Sequence, residues 1–372
     1  MITDQNGIVI ETVAIADAGD NIESFRGLIT PGFVNAHCHL ELSHVKDIIA
    51  EKTGLVEFVQ QVMSRRAADT ELKRDAMLRA EAEMYQSGIV AVGDICNTAD
   101  SIPVKERSKL LWHNFIEVSG FVDAVAAKRV ADMEDVYDSF EAYDAPNTSF
   151  SPHAPYSVSK ALFQLLNGKT TGQLITIHNQ ECTAENILYE QKNGDFLKLY
   201  KNLGIDISTF TATGRSAFQS WLPYFNQQQS IISVHNTAMF EADLAFANNY
   251  SAEIALPIHY CICINANLYI EQQVPPIDMF RKNNAAIVIG TDSYASNHQL
   301  NILEEIKTIQ RETNYTIPLE EILKWATANG ARALALEQSI GSFERGKKPG
   351  VVLIDGLNNL QTTPQSSSRR IL

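Results

Sequence analysis

The sequence predicts an α/β fold: a (β/α)8 TIM barrel with a small β appendage built from both termini. Three observations lead there. Eight short β-rich apolar runs recur along the chain, amphipathic stretches separate them, and no G-x-G-x-x-G follows the first run to favour an open dinucleotide-binding sheet. The runs are "LITPGFVNAHCHL" (28–40), "IVAVGDI" (89–95), "LLWHNFIEVSG" (110–120), "TSFSPHAPYS" (148–157), "QLITIHNQE" (173–181), "IISVHNTA" (231–238), "AEIALPIHY" (252–260) and "AAIVIGTDSY" (285–294). Between them, "TELKRDAMLRAEAEMYQSG" (70–88) reads as a helix that stops on Gly88, where a left-handed cap is expected. "SKALFQLLNG" (159–168) and "HQLNILEEIKTIQRET" (298–313) are further helices. Residues 28–340 are assigned to the barrel. Residues 1–27 and 341–372 fall outside the eight units, and "GIVIETVAIAD" (7–17) and "GVVLIDG" (350–356) supply strands for the appendage. "TGRSAFQSW" (213–221) reads as a loop over the barrel mouth or a solvated connector.

Composition narrows the function classes. The 372 residues are 45% hydrophobic and 20% charged, as in a globular protein with a large core. Acidic residues outnumber basic ones by 44 to 30, for a net charge of -14. That argues against nucleic acid and against an anionic membrane, both of which call for clustered Lys and Arg. "MITDQNGIVIETV" has no basic segment leading into an apolar one, and no run is long enough to span a bilayer. Five cysteines, an odd number in a long chain, suit reduced thiols, so the expected location is the cytoplasm.

Five of the eight run ends carry a metal-capable or acid–base side chain. His37 and His39 end the first, His153 the fourth, His178 with Glu181 the fifth, His235 the sixth and Asp292 the eighth. The C-terminal strand ends of a (β/α)8 barrel converge on one mouth, where active sites are built. Side chains two apart on a strand point the same way, so His37 and His39 can face the barrel axis while Cys38 faces the helices. A lone histidine at a strand end is usually a satisfied polar group, and H-x-H alone is short and common. Seven such groups at five strand ends are harder to reconcile with that bland reading. His44, His113, His259 and His298 have no such partners and are expected at the surface or behind the site. Cys261 and Cys263 lack the second pair of a structural zinc site and read as buried thiols.

In order, "PGFVNAHCHLELSH", "SPHAPYSVS", "HNQE", "VHNT" and "GTDSYASN" resemble the amidohydrolase superfamily. The likeness points to its branch of metal-dependent deaminases, which includes adenosine-derivative and aminofutalosine deaminases. It runs over about residues 28–355, and "HLELSH" and "GTDSYASN" lean toward the aminofutalosine group. The resemblance implies one divalent ion per chain, zinc or iron, held by His37, His39, His178 and Asp292. It makes Glu181 the proton shuttle, His235 a histidine near the activated water with Asp292 also catalytic, and His153 a contact to substrate. The fourth run has no lysine for carboxylation, which argues against a binuclear centre. The segment before the H-x-H pair is short, and Ile264 stands where relatives carry a proline. The implied activity is hydrolysis of a C–N bond other than a peptide bond: deamination of an aminated purine-type ring by a metal-activated hydroxide. A chlorohydrolase or cyclic amidohydrolase with the same site is the alternative enzyme, and a non-catalytic metal-binding scaffold the alternative of another class. The partner implied is a small molecule, with room for a homodimer.

Overall fold

The computed structural model describes residues 1–20 and 22–372. The chain opens with a hairpin, β1 (Ile2–Thr3) and β2 (Val9–Glu11), followed by β3 (Leu28–Pro31). Eight barrel strands come next: β4 (Phe33–Cys38), β5 (Ile89–Cys96), β6 (Leu111–Val118), β7 (Thr148–Pro152), β8 (Leu174–Asn179), β9 (Ser230–His235), β10 (Ile258–Ile262) and β11 (Ala286–Ile289). Each pairs in parallel with its neighbours within two runs, β4 to β7 and β8 to β11. Two seams close the ring at the mouth. Thr291 N and Asp292 N, just past β11, both donate to His37 O of β4, while His178 N of β8 donates to His153 O just past β7.

The interior is filled by small and branched side chains, among them Val34, Ala36, Ala91, Ile232, Val234 and Val288. A larger apolar layer lies between strands and helices. Helices α1 (Leu55–Arg65) and α2 (Thr70–Ser87) both join β4 to β5, and the short α3 (Ile102–Lys105) joins β5 to β6. Asp69 caps α2 by accepting from Glu71 N and Leu72 N, and Gly88 ends it at φ 102.

The terminal strands assemble away from the barrel axis. β3 pairs antiparallel with β12 (Val351–Asp355), which pairs antiparallel with β13 (Ser367–Arg370). Residues 28–31, read from sequence as the start of the first barrel run, therefore belong to this terminal sheet. Gly32 makes the break. A Cβ there would lie 2.2 Å from a Val90 methyl, and its N–H donates to Pro349 O. The β1–β2 hairpin is a separate two-stranded sheet, tied to the C-terminal segment through Val9 N to Lys347 O and Gly346 N to Val9 O.

Two further local expectations are corrected. The seventh run was set too early: residues to Ile254 finish a helix (Glu241–Ile254) that Ala255 caps at positive φ, and the strand starts after Pro257. Its apolar residues pack that helix against the barrel. "TGRSAFQSW" is a solvated connector only over residues 213–215, which are exposed and outside any helix. Ala217–Trp221 is a helix whose Phe218 and Trp221 are fully buried in the strand–helix layer. The Trp221 indole donates to Asn179 Oδ1 at 2.8 Å, which fixes it there. His113 and His259 are buried, and burial pushes their rings down to about 3 and about 4. All five thiols are free and buried.

Gly88 joins helix, barrel and terminal sheet, since a Cβ there would lie 2.4 Å from a Val352 methyl. Gly88→Ala adds a left-handed-backbone penalty to that overpacking, so urea unfolding should show a loss of about 1–3 kcal/mol. An unchanged midpoint would contradict this account of the junction.

Candidate active site

The site begins where the β4–β5 ladder breaks. Pairing jumps from Asn35↔Val92 to Cys38↔Asp94. Ala36 packs in the barrel interior, whereas Cys38, two residues on, packs against the helices. The irregularity thus resets the alternation and turns His37 and His39 inward, which is how a bulge re-aims side chains at a barrel rim. Their Nε2 atoms lie 3.1 Å apart. His39 Nε2 is also 3.2 Å from His178 Nε2 and 3.3 Å from Asp292 Oδ1, and His37 Nε2 is 3.6 Å from that oxygen.

Such crowding has a specific electrostatic character. His178 Nδ1 faces His153 O at 2.8 Å, so its proton sits on Nδ1 and the Nε2 lone pair faces the cluster. Burial, reinforced by neighbouring imidazoles, holds His37 well below the ordinary histidine range. For His39 burial outweighs the upward pull of Asp292. At Asp292 burial opposes ionisation, but His39, His235 and the Ser296 hydroxyl together bring its carboxyl below the usual value. Neutral nitrogen lone pairs thus face one another and a carboxylate at contact distance. The donors of His37, His178, His235 and Asp292 all lie within 4.8 Å of one another, a set able to hold a metal ion.

Glu181 and His235 adjoin the cluster. Glu181 Oε2 is 3.8 Å from His235 Nε2. Burial, then the Asp292 charge, pushes the Glu181 carboxyl well above the ordinary range. Asn267 Nδ2 is 3.4 Å from His235 Nδ1, an arrangement that leaves the His235 proton on Nε2, toward Glu181. Burial keeps His235 neutral, down to about 3. Backbone strain concentrates here: Gln180, His235, Asn236 and Asp292 all have φ between 42 and 70, unusual for side-chain-bearing residues.

A cavity of about 320 Å³ opens over this floor. Phe58, Val59, Val62, Phe121, Leu199 and Tyr200 give it apolar walls, and His153 and Glu117 add polar groups. His153 is half-buried, its Nδ1 paired to Ser157 Oγ and its ring pushed down to about 4 by burial.

Sequence reasoning missed the groups that hold these residues. Glu117 ends the third barrel strand; Oε2 accepts from Asn97 Nδ2, while Oε1 is buried without a partner. Its strand-end position was the available signal, the same one that singled out His153. Glu185 accepts from Gln180 N and Glu181 N, and Ser296 Oγ donates to Asp292 Oδ2. Ser296 lies within "GTDSYASN", whereas nothing in the sequence marked Glu185 or Asp94.

The amidohydrolase family model matches residues 28–370. A 5-methylthioadenosine/S-adenosylhomocysteine deaminase of Thermoanaerobacter pseudethanolicus is 27% identical over 359 residues, covering 90% of this chain and 74% of that protein. An aminodeoxyfutalosine deaminase of Nitratiruptor is 26% identical over 345 residues, covering 90% and 81%. In shape the chain is similar to Helicobacter pylori aminofutalosine deaminase in complex with methylthio-coformycin. The TM-score is 0.75 at 21% identity, over 90% of this chain and 80% of that one. It is also similar to a Xanthomonas campestris adenosine deaminase with bound zinc, at a TM-score of 0.69 and 24% identity over 97% and 80%. Barrel, strand-end cluster and family match agree, and the chain belongs to the amidohydrolase family.

Proposed function

We propose that the protein is a metal-dependent deaminase that hydrolyses the amino group from the purine-type ring of an adenosine or aminofutalosine derivative. The observation that carries this reading is the cluster of imidazole lone pairs and one carboxylate on a cavity floor, with Glu181 beside it. Deaminases of adenosine derivatives among the relatives support the substrate class. The five buried, free thiols support a cytoplasmic location.

The donor set fits one divalent ion, zinc or iron, with His37, His39, His178 and Asp292 as its ligands. Four donor separations of 3.1–3.6 Å bracket the edge, about 3.4 Å, of a tetrahedron with bonds of about 2.0–2.1 Å. When bound, such an ion supplies Lewis acidity that makes water a nucleophile near neutral pH. The protein's own groups do the rest. Glu181, kept protonated by burial, donates to the ring nitrogen next to the carbon under attack. As a carboxylate it then takes a proton from the added oxygen and delivers it to the departing ammonia. His235 Nε2–H stabilises charge developing on that oxygen. His153 holds the substrate from the fourth strand end, and the apolar walls exclude water.

Elemental analysis after mild chelation and reloading should find one divalent ion per chain, and none in the His37→Ala/His39→Ala double variant. Two tightly held ions, or full occupancy in that variant, would sink the ligand assignment. Glu181→Gln keeps shape and loses the proton. Ammonia release from aminopurine nucleosides should fall at least about 10²-fold, the lower bound for such a group, with metal content intact. A variant retaining a tenth of kcat would refute the shuttle. His153→Ala should raise KM or lower kcat/KM without loss of metal, because His178 is held by the His153 backbone carbonyl, which the substitution spares. Metal loss in that variant would instead make His153 a ligand.

A further inference from the structure

Among the described residues, Lys105 is the one lysine or arginine fully buried in the core, at the end of α3 and outside the active-site cavity. Its Nζ lies 2.6 Å from Asp94 Oδ2, 2.8 Å from Asn114 Oδ1 and 3.3 Å from Cys96 Sγ. The rings of Trp112 and Phe140 flank it at 5.1 and 4.8 Å. Burial works against its charge, but Asp94 and the other partners keep the ammonium firmly protonated. Stability is a poor reason for such a pair, because a buried ion pair is often no better than apolar residues of the same volume.

The other Asp94 oxygen shows what the pair does. Oδ1 accepts from Leu40 N at 2.8 Å, the residue after His39. This is where the β4–β5 ladder breaks, and His39 itself has left regular strand conformation, at φ -124 and ψ 83. The ladder pairing of this segment ends at Cys38, and the N–H of Leu40 beyond it is held by a side-chain carboxylate. An acceptor that carries a full charge makes a stronger bond to that N–H than a neutral one.

We propose that Asp94, aimed by its contact with Lys105, is the positioning residue that sets the His37–His39 clamp for the metal. This rests on the reading of those histidines as metal ligands. Without the Asp94 acceptor, Leu40 N would be left buried with no partner and the turn after His39 would lose its anchor. His39 Nε2, at 3.1–3.3 Å from three other donors, would then lose its fixed place.

Two double variants, neither leaving a lone buried charge, isolate the effect. Asp94→Asn/Lys105→Met keeps an acceptor for Leu40 N, and Asp94→Ala/Lys105→Met removes it. Zinc affinity is measured by chelator competition and site geometry by visible absorption of the cobalt(II)-loaded protein, with thermal unfolding of the metal-free forms in parallel. The Asn variant should bind zinc nearly as the parent does. The Ala variant should bind about 10–100-fold more weakly, as losses of outer metal-site partners typically do, with an altered cobalt spectrum. Equal zinc affinities and spectra in the two doubles would overturn the proposal, even if their unfolding temperatures differ. A parent protein that binds no zinc would instead overturn the ligand reading beneath it.

Discussion

The mouth of the barrel is organised around one constraint. His39 Nε2 stands 3.1–3.3 Å from His37 Nε2, His178 Nε2 and Asp292 Oδ1, where these groups cannot satisfy one another. Neutral rings facing one another with lone pairs repel, so the arrangement persists only if backbone and neighbours over-determine it. They do so by three routes. The β4 irregularity turns His37 and His39 inward, the His153 carbonyl fixes the tautomer and tilt of His178, and Ser296 occupies one oxygen of Asp292 so that the other faces the cluster. Strained φ values at His235 and Asp292 carry part of the cost.

Burial is the second organising force, and it acts with opposite sign on the two kinds of group. It disfavours protonation of His37 and His39, leaving bare nitrogen lone pairs, and keeps a proton on Glu181. One apolar surrounding thus prepares both a base-like floor and an acid beside it, without a separate device for either.

What could be read from sequence followed from periodicity. Strand-end side chains such as His37, His178 and Asp292 stand out because an apolar run stops on them, and the helix from Thr70 to Ser87 shows its stop at Gly88 in plain view. What could not be read depends on contacts between segments far apart in the chain. The carboxylates of Asp94 and Glu185 look like any other acids until the fold brings a backbone N–H to them. The segment 252–257 is apolar enough for a strand, and only the packed fold gives its first residues to a helix. Trp221 was hidden for the same reason, since its partner Asn179 lies 42 residues away.

The two seams that close the barrel have a thermodynamic consequence. His37 and His39 belong to the β4–β7 half, while His178 and Asp292 belong to the half that starts at β8. At the mouth the halves meet through backbone bonds to His37 O at one seam and His153 O at the other, and deeper in through Asn35 with Thr291 and Ser151 with Thr176. A single ion held by all four side chains would be a clasp across both joints. Occupancy of the site and cohesion of the two half-barrels then become one linked equilibrium: free metal adds RT ln(1 + [metal]/Kd) to the closed form, and any opening of a seam costs the ion part of its cage.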